Sequence, residues 1–136
     1  MAFDRIRENR NKKTVILDTN AVLMLFEFNI NLEDELSRLI GLYRIMIPST
    51  VEKELKILSK KYSGNKKIYA KAAIKLINKY EKMNVKSDNA DDSIFLLAKK
   101  IDNCFVLTND KELKDRIKKI PRKVIFLRAK KKLEII

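Results

Sequence analysis

The stretch Val15-Ile-Leu-Asp18-Thr-Asn20 restricts the fold of this chain more than any other. A short apolar run ends in a carboxylate and two small polar residues, and a second apolar run follows from Ala21 to Phe26. Such a run, closed by polar residues, is typical of a buried parallel strand whose carboxyl end opens into a crevice. Ligands of open α/β sheets bind in that crevice. The stretch therefore predicts a strand, a buried helix, and Asp18 at a position where chemistry usually takes place.

The same pattern recurs in Phe105-Val-Leu-Thr108-Asn109-Asp110, and predicted strands and helices alternate along the chain. Strands are predicted at residues 14–18, 44–47, 83–85, 104–107 and 124–127. This alternation predicts one α/β domain with a central, mostly parallel sheet of four or five strands and helices on both faces. We place the domain at residues 14–128. A basic N-terminal arm (residues 1–13) and a basic C-terminal tail (residues 129–136) are expected to flank it.

Polar residues before apolar helical stripes predict where the helices begin. Ser49 with Glu52 forms a capping-box pattern, in which a hydroxyl and a carboxylate satisfy backbone N–H groups of the first turn. The other predicted caps are Asn31, Asp88 and Asn109. The helix predicted at residues 66–80 interleaves lysines with tyrosines. Its tyrosines are expected to be core residues by their spacing, with RNA contact as the alternative.

The composition limits the chemistry open to the chain. Lys and Arg number 31 against 18 Asp and Glu, a net charge of +13, which favours polyanions such as nucleic acid. A lysine-rich surface that only aids solubility is the alternative. The chain has no His, a single Cys (Cys104) and two Gly, so His-dependent catalysis, zinc-cysteine sites and glycine-rich phosphate loops are excluded. With neither a signal-peptide pattern nor a membrane-spanning apolar run, we expect a cytoplasmic protein without membrane association.

Four carboxylates occupy positions at which a charge is unusual. Asp18 and Asp110 follow predicted buried strands, while Glu54 and Asp91 interrupt apolar helical stripes. Each has an ordinary structural alternative. The first two are possible helix caps, Asp91 suits the positive end of a helix dipole, and Glu54 is a possible salt-bridge partner of a lysine.

Parallel strand ends lie at one edge of a sheet, so the four carboxylates are expected to meet there. Clustered carboxylates raise one another's pKa values unless a cation lies among them. Oxygen ligands without His or Cys favour a hard metal ion, Mg²⁺ or Mn²⁺. On a strongly basic protein, such a site indicates phosphodiester hydrolysis, in which a metal ion activates water and stabilises charge on the phosphate.

At these residues the chain resembles the PIN-domain nucleases. The matching segments are Val15-Ile-Leu-Asp18-Thr-Asn20, Ile47-Pro-Ser-Thr-Val-Glu-Lys-Glu54-Leu55, Asp91-Asp92-Ser-Ile94 with Ala98, and Leu107-Thr-Asn-Asp110. They stand in the family's order and span the chain from about Val15 to Leu127. The resemblance implies metal-dependent RNA cleavage by Asp18, Glu54, Asp91 and Asp110, with the metal among the three aspartates and Glu54 as a further ligand or as the group that orients water. It also implies that Asn20 holds Asp18 and that Thr108 and Asn109 shape the pocket, with Asp92 as a further supporting residue.

The resemblance covers two branches of that family. One is the VapC-type toxin, which cleaves tRNA or rRNA and is inhibited by an antitoxin protein. The other processes ribosomal RNA, and the Asp91-Asp92 doublet and the segment from Thr108 to Leu113 are more similar to it. Members often form homodimers, so a homodimer is compatible with either branch.

Basic residues near the predicted site are expected to bind RNA phosphates. The candidates are Lys60, Lys61, Lys66, Lys67, Lys118, Lys119, Arg122 and Lys123. Binding through them is expected to weaken steeply with salt. A second hypothesis from another class is a non-catalytic RNA-binding or ribosome-assembly module with the same fold. Its discriminating property is the absence of Mg²⁺ or Mn²⁺ binding at the carboxylates.

Overall fold

A six-stranded sheet forms the centre of the fold. The structure, a computed structural model, describes residues 12–87 and 89–136. The strands are β1 (Lys13–Leu17), β2 (Tyr43–Pro48), β3 (Glu81–Met83), β4 (Cys104–Leu107), β5 (Lys123–Arg128) and β6 (Lys132–Ile135). They lie in the order β3-β2-β1-β4-β5-β6, and all are parallel except β6, which pairs antiparallel with β5. The predicted fold class is confirmed, with one edge strand more than expected.

Helices cover both faces of this sheet. Those of the described residues are α1 (Thr19–Glu27), α2 (Leu32–Ile40), α3 (Ser49–Lys61), α4 (Gly64–Ile77), α5 (Ala90–Lys100) and α6 (Lys111–Lys119). Successive residues of a strand face opposite sides of the sheet. Because Val15, Ile16 and Leu17 are all 0% exposed, both faces of β1 must be covered. No helix within the described ranges is long and apolar enough to cross a membrane.

The strand order creates a crevice beside β1. The chain first builds the sheet outward from β1 through β2 and β3, and then returns to β4 on the other side of β1. Where the order reverses in this way, a ligand crevice opens at the carboxyl ends of the strands. The β1–β4 register pairs Leu17 with Leu107. The next residues of the two strands, Asp18 and Thr108, therefore lie side by side at the crevice.

Of the four predicted helix starts, one lies at the predicted residue and three do not. Asn31 caps α2 as predicted, since its side chain accepts a hydrogen bond of 3.1 Å from the Asp34 N–H. The capping box at Ser49 is wrong. Strand β2 runs directly into α3, so Pro48 holds the cap position and Ser49 is already helical. Its hydroxyl instead accepts a hydrogen bond of 3.1 Å from the Val85 N–H, beyond β3.

The caps of α5 and α6 are each displaced by one residue from their predicted positions. Asn89 caps α5 by accepting a hydrogen bond of 2.8 Å from the Asp92 N–H, while the predicted cap, Asp88, lies outside the described residues. Asp110 rather than Asn109 caps α6, with a hydrogen bond of 3.0 Å from the Leu113 N–H. Both shifts affect the site, because the true caps line it.

The C-terminal residues form a strand rather than the predicted basic tail. Strand β6 pairs with β5, and Leu133 is only 1% exposed. Its backbone N–H donates to the Glu35 carboxylate at 2.8 Å, which ties β6 to α2. The domain thus extends beyond residue 128. At the other end β1 begins at Lys13, and residues 1–11 of the predicted arm lie outside the described residues.

Candidate active site

Asp18 and Asp110 are joined through one buried hydroxyl. The Thr108 hydroxyl donates a hydrogen bond of 2.8 Å to Asp18 Oδ2 and accepts one of 3.0 Å from the Asp110 N–H. Asp18 occupies the cap position of α1, yet its side chain forms no capping hydrogen bond. The ordinary role of an aspartate after a strand therefore does not explain Asp18, and Thr108 fixes the orientation of its carboxylate.

Asp110 combines a structural contact with a place in the pocket. Its Oδ1 caps α6, which leaves Oδ2 for other partners. The intervening residue, Asn109, turns away from the crevice. Its side chain exchanges two hydrogen bonds with the Leu127 backbone, of 2.8 and 3.1 Å. This exchange attaches the end of β4 to β5 and holds the loop that carries Asp110.

Glu54 reaches the same region from helix α3. Val51 and Leu55 bury the core-facing side of this helix, and Glu54 is half-buried at the edge of that side. The Thr19 hydroxyl donates a hydrogen bond of 3.3 Å to Glu54 Oε2. Among the residues that the structure describes, Glu54 forms no ion pair, so the proposed salt bridge to a lysine is not observed.

The neighbours Asp91 and Asp92 have different surroundings. Ala90 and Ile94 are buried at the start of α5, and Asp91 lies half-buried beside them. Asp92 accepts hydrogen bonds of 3.0 Å from both Arg116 and the Asn89 side chain. These contacts lower the pKa of Asp92, Arg116 first and Asn89 second. Asp92 is therefore a partner of Arg116, whereas Asp91 has no hydrogen-bonded cation among the residues that the structure describes.

The four predicted acids line one open pocket of about 420 Å³ at the carboxyl edge of the sheet. Burial raises the pKa of Asp18 to about 6, against the hydrogen bond from Thr108, and the charges of Asp91 and Asp110 add to the rise. Burial and the charge of Asp110 also raise the pKa of Asp91, while Arg116 opposes that rise. The other residues of the pocket are Asn20, Asn89, Ala90, Asp92 and Arg116.

The donor set of this pocket fits a hard cation. Asp18, Asp91 and Asp110 offer only oxygen atoms, and their mutual repulsion is the kind that a divalent cation relieves. In residues 12–87 and 89–136, no group of three or more His, Cys, Asp or Glu side chains is already close enough together to hold a metal ion. The acids thus share a pocket without forming a closed coordination shell.

Arg116 is the charged pocket residue that sequence reasoning missed, and the cap Asn89 was missed with it. Its guanidinium lies 4.4 Å from the centre of the Phe95 ring and is hydrogen-bonded to Asp92. Both contacts come from α5, more than twenty residues earlier in the chain. The only sequence signal is that Arg116 lies in the helix that Asp110 begins. In so basic a chain, that position does not distinguish Arg116 from the other arginines and lysines.

Two of the predicted supporting and RNA-binding assignments do not match the geometry. Asn20 lines the pocket, but the described residues contain no hydrogen bond between Asn20 and Asp18, whose side-chain partner is Thr108. Arg122 donates to the backbone carbonyls of Ala98 and Lys99 at 2.8 and 3.3 Å. It therefore ties the segment before β5 to α5 through two of its guanidinium nitrogens.

The predicted basic residues divide between the two edges of the sheet. Lys123 begins β5, and with Arg122 it borders the amino-terminal ends of β1 and β4, opposite the acidic pocket. Lys118 and Lys119 end α6, which starts at the pocket and runs towards that opposite edge. The remaining predicted cluster lies at the junction of α3 and α4, and its residue Lys66 lines a cavity together with the pocket residue Asn20. Its members are Lys60, Lys61, Lys66 and Lys67.

Comparison with known proteins places this fold and its pocket in a family. The model of the PIN-like domain matches residues 15–130. The chain belongs to the PIN-like domain family. It is 32% identical over 124 residues to "Ribonuclease VapC4" of Methanocaldococcus jannaschii, covering 89% of this chain and 95% of the relative. It is also 32% identical over 135 residues to "Ribonuclease VapC9" of Archaeoglobus fulgidus, covering 98% and 96%.

A solved structure supports the same assignment at the level of the fold. The PIN domain endonuclease Utp24 superposes with a TM-score of 0.74 at 25% identity, over 90% of each chain. The resemblance to the PIN-domain nucleases noted in the sequence is thereby confirmed. The PIN-like domain of this chain covers nearly the full length of each of these proteins.

Proposed function

We propose that this PIN-like protein is a divalent-metal-dependent endoribonuclease that hydrolyses RNA phosphodiester bonds. The observation that carries the proposal is that Asp18, Glu54, Asp91 and Asp110 line one pocket at the switch point of the sheet. Two relatives at 32% identity are named ribonucleases, which supports RNA as the substrate. The net charge of +13 suits a polyanionic substrate.

In this proposal Asp18, Asp91 and Asp110 hold Mg²⁺ or Mn²⁺. A bound ion of this kind stabilises negative charge on the phosphate and lowers the pKa of a water molecule. Thr108 keeps the Asp18 carboxylate aimed into the pocket through its hydrogen bond of 2.8 Å. Glu54, on the opposite wall, accepts a proton from water or orients that water, since its hydrogen bond from Thr19 keeps one oxygen fixed and leaves the other free.

Arg116 supplies positive charge to a pocket that is otherwise acidic. We assign it to the RNA phosphate, because guanidinium groups bind phosphate oxygens in a fixed geometry. Asp92 and the Phe95 ring hold Arg116 at the pocket wall, at 3.0 and 4.4 Å. Asp92 is then a positioning residue for Arg116 and not a metal ligand.

The biological role that we propose first is that of a VapC-type ribonuclease. Both relatives carry the VapC name and match almost the whole chain. These matches outweigh the local likeness to the rRNA-processing branch around Asp91 and Thr108. A VapC-type role implies an antitoxin partner protein, and separate cleavage assays on tRNA and rRNA distinguish the two roles by substrate.

Cleavage of mixed RNA in the presence of Mn²⁺ tests the proposed activity. We expect the wild type to cleave and Asp91→Asn to lose activity while its fold is retained. Asp115→Asn makes the same chemical change at an exposed position of α6 and serves as the matched control. Equal cleavage by wild type and Asp91→Asn would refute the assignment of Asp91. A wild type that binds RNA in a salt-dependent manner but never cleaves it would favour the non-catalytic RNA-binding module.

A further inference from the structure

A second groove, of about 280 Å³, opens beside the catalytic pocket. One wall is helix α1, and the other is formed where α3 ends and α4 begins. Asn20 lines both the groove and the pocket of the four acids, so the two are neighbours. We call it the tyrosine groove, after Tyr62 and Tyr69 on its second wall.

The first wall of the tyrosine groove is one stripe of helix α1. Asn20, Leu23, Met24 and Glu27 have the i, i+3, i+4, i+7 spacing of a single helical face. At about 1.5 Å per residue, this face extends about 10 Å outward from the catalytic pocket. Leu23 and Met24 give it an apolar middle, and Glu27 places a carboxylate at its far end.

The second wall combines aromatic rings with a cation. Tyr62 and Tyr69 are half-buried, and the Lys66 ammonium lies 5.7 Å from the centre of the Tyr62 ring. A buried tyrosine hydroxyl usually finds a hydrogen-bond partner. The hydroxyls of Tyr43 and Tyr80 do so, on the backbone and side chain of Glu33. Within the described ranges the hydroxyls of Tyr62 and Tyr69 have no protein partner, and neither oxygen is buried, so both are open to a ligand or to solvent at the groove.

We propose that the tyrosine groove binds the nucleobase of a nucleotide next to the phosphate that is cleaved. This inference rests on the proposed ribonuclease function, because that function places an RNA strand across the adjoining pocket. Bases stack on aromatic side chains regardless of sequence. Lys66 stands at the groove where it can meet the phosphate that joins this nucleotide to the strand.

The chemistry of the groove selects a base over a phosphate as its occupant. Leu23 and Met24 offer no hydrogen bond to an anion, and the Glu27 carboxylate repels one. A base carries no charge, so its flat face can pack on the apolar side chains without the cost of burying a charge. It also gains contact with the rings of Tyr62 and Tyr69. Because Asn20 borders both cavities, we assign the base to the strand that lies in the catalytic pocket.

Removing the bases from the RNA tests this assignment without altering the protein. Binding is measured in EDTA, which prevents metal-dependent cleavage, for a short oligo(A) RNA and for a fully abasic ribose-phosphate oligomer of equal length. Base stacking predicts that the wild type binds the abasic oligomer at least about fivefold more weakly. Phosphate contacts alone predict equal dissociation constants.

Variants of Tyr62 then locate the base. Tyr62→Leu keeps the apolar bulk but removes the aromatic face, so the fivefold difference should shrink towards one. Tyr62→Phe should bind like the wild type, because the Tyr62 hydroxyl has no partner to lose. Tyr43→Leu makes the same change away from the groove and should leave the difference intact. Tyr69→Leu repeats the test on the second ring if Tyr62→Leu does not fold.

The outcomes separate this inference from the proposed function. If the wild type cleaves RNA with Mn²⁺ yet binds both oligomers equally, the groove assignment is refuted and the nuclease stands. If the base-dependent difference is present and lost in Tyr62→Leu, but no RNA is cleaved, the groove is supported and the nuclease proposal fails. A Tyr62→Leu change that alters only the sedimentation of the protein, and not RNA binding, would assign the groove to a second copy of the chain and overturn the proposal.

Discussion

The Asp18 carboxylate should lower the stability of the metal-free protein. The residue is only 4% exposed, and burial together with the charges of Asp91 and Asp110 raises its pKa from 3.8 to about 6. A difference of about 2 in pKa corresponds to about 3 kcal/mol, at about 1.4 kcal/mol per pKa unit. Ionised Asp18 therefore costs the folded state up to about 3 kcal/mol relative to the unfolded chain.

The sign of this effect sets its pH range. Folded Asp18 binds its proton more tightly than the unfolded chain does, so the contribution of this group to stability is intact below about pH 4. It falls as the pH rises from about 4 to about 6 and is lost above that. Asp18→Asn removes the charge and keeps an oxygen that can accept the Thr108 hydrogen bond. The variant should be up to about 3 kcal/mol more stable than the wild type at pH 7.5 without metal, and within about 0.5 kcal/mol of it at pH 4.

Urea unfolding in EDTA at these two pH values measures the difference, with Asp115→Asn as the exposed control. Mn²⁺ is then added at pH 7.5. It should stabilise the wild type by mass action and leave Asp18→Asn unchanged, because a ligand raises stability only where it binds the folded state. Two results would refute the reasoning. One is a variant that is no more stable than the wild type at pH 7.5. The other is a gain that persists in full at pH 4, where folded Asp18 is protonated and the unfolded residue lies near its own pKa of 3.8.

Three further perturbations test other parts of the structure. Thr108→Val removes a buried hydroxyl that donates to Asp18 and accepts from the Asp110 N–H, so urea unfolding at neutral pH should show a loss of about 2 kcal/mol in stability. A carboxyl NMR titration should show a higher pKa for Asp18 in this variant. An unchanged pKa would contradict the role given to Thr108. Arg116→Ala should raise the KM for RNA and weaken the salt dependence of that KM, while the affinity for Mn²⁺ is unchanged. Arg116→Lys should restore part of the RNA binding. An equal loss of Mn²⁺ binding in Arg116→Ala would mean that Arg116 supports the acids instead. Leu133→Ala should cost about 3 kcal/mol in thermal or urea unfolding because Leu133 is 1% exposed, whereas a loose tail would show a change within about 0.5 kcal/mol.

The positions of the acids follow from local sequence patterns. Apolar runs that end in Asp18 and Asp110 specify strands and the residues at their carboxyl ends. Glu54 and Asp91 are found because a charge on an otherwise apolar helical face is conspicuous. Parallel pairing then brings the strand ends together, since the β1–β4 register aligns the two strands residue by residue. That the four acids line one pocket was therefore predictable from the sequence.

The features that sequence reasoning missed depend on distant contacts or unusual backbone conformation. Ala129 and Lys130 turn the β5–β6 hairpin with positive φ angles of 54° and 59°, which Gly or Asn usually provide. Without those residues the turn is invisible in the sequence, and β6 reads as a tail. The pairing of Arg116 with Asp92 and that of Asn109 with Leu127 span 24 and 18 residues. Only the packed fold shows which of many arginines and asparagines makes such a contact.

The register of the sheet explains why one hydroxyl organises the site. Because Leu17 and Leu107 are paired, the residues after them must lie side by side, and an aspartate there needs a donor from its neighbour. Thr108 is that donor, and it is 0% exposed, so water cannot replace it. The same hydroxyl accepts from the Asp110 N–H, so the second acid is placed by the contact that holds the first. A fold that needed Asp18 only as a helix cap would have no use for this arrangement, because the Asp18 side chain does not cap its helix. The raised pKa of Asp18 and the Thr108 contact that opposes it thus fit the proposal that this carboxylate is kept in place for a cation.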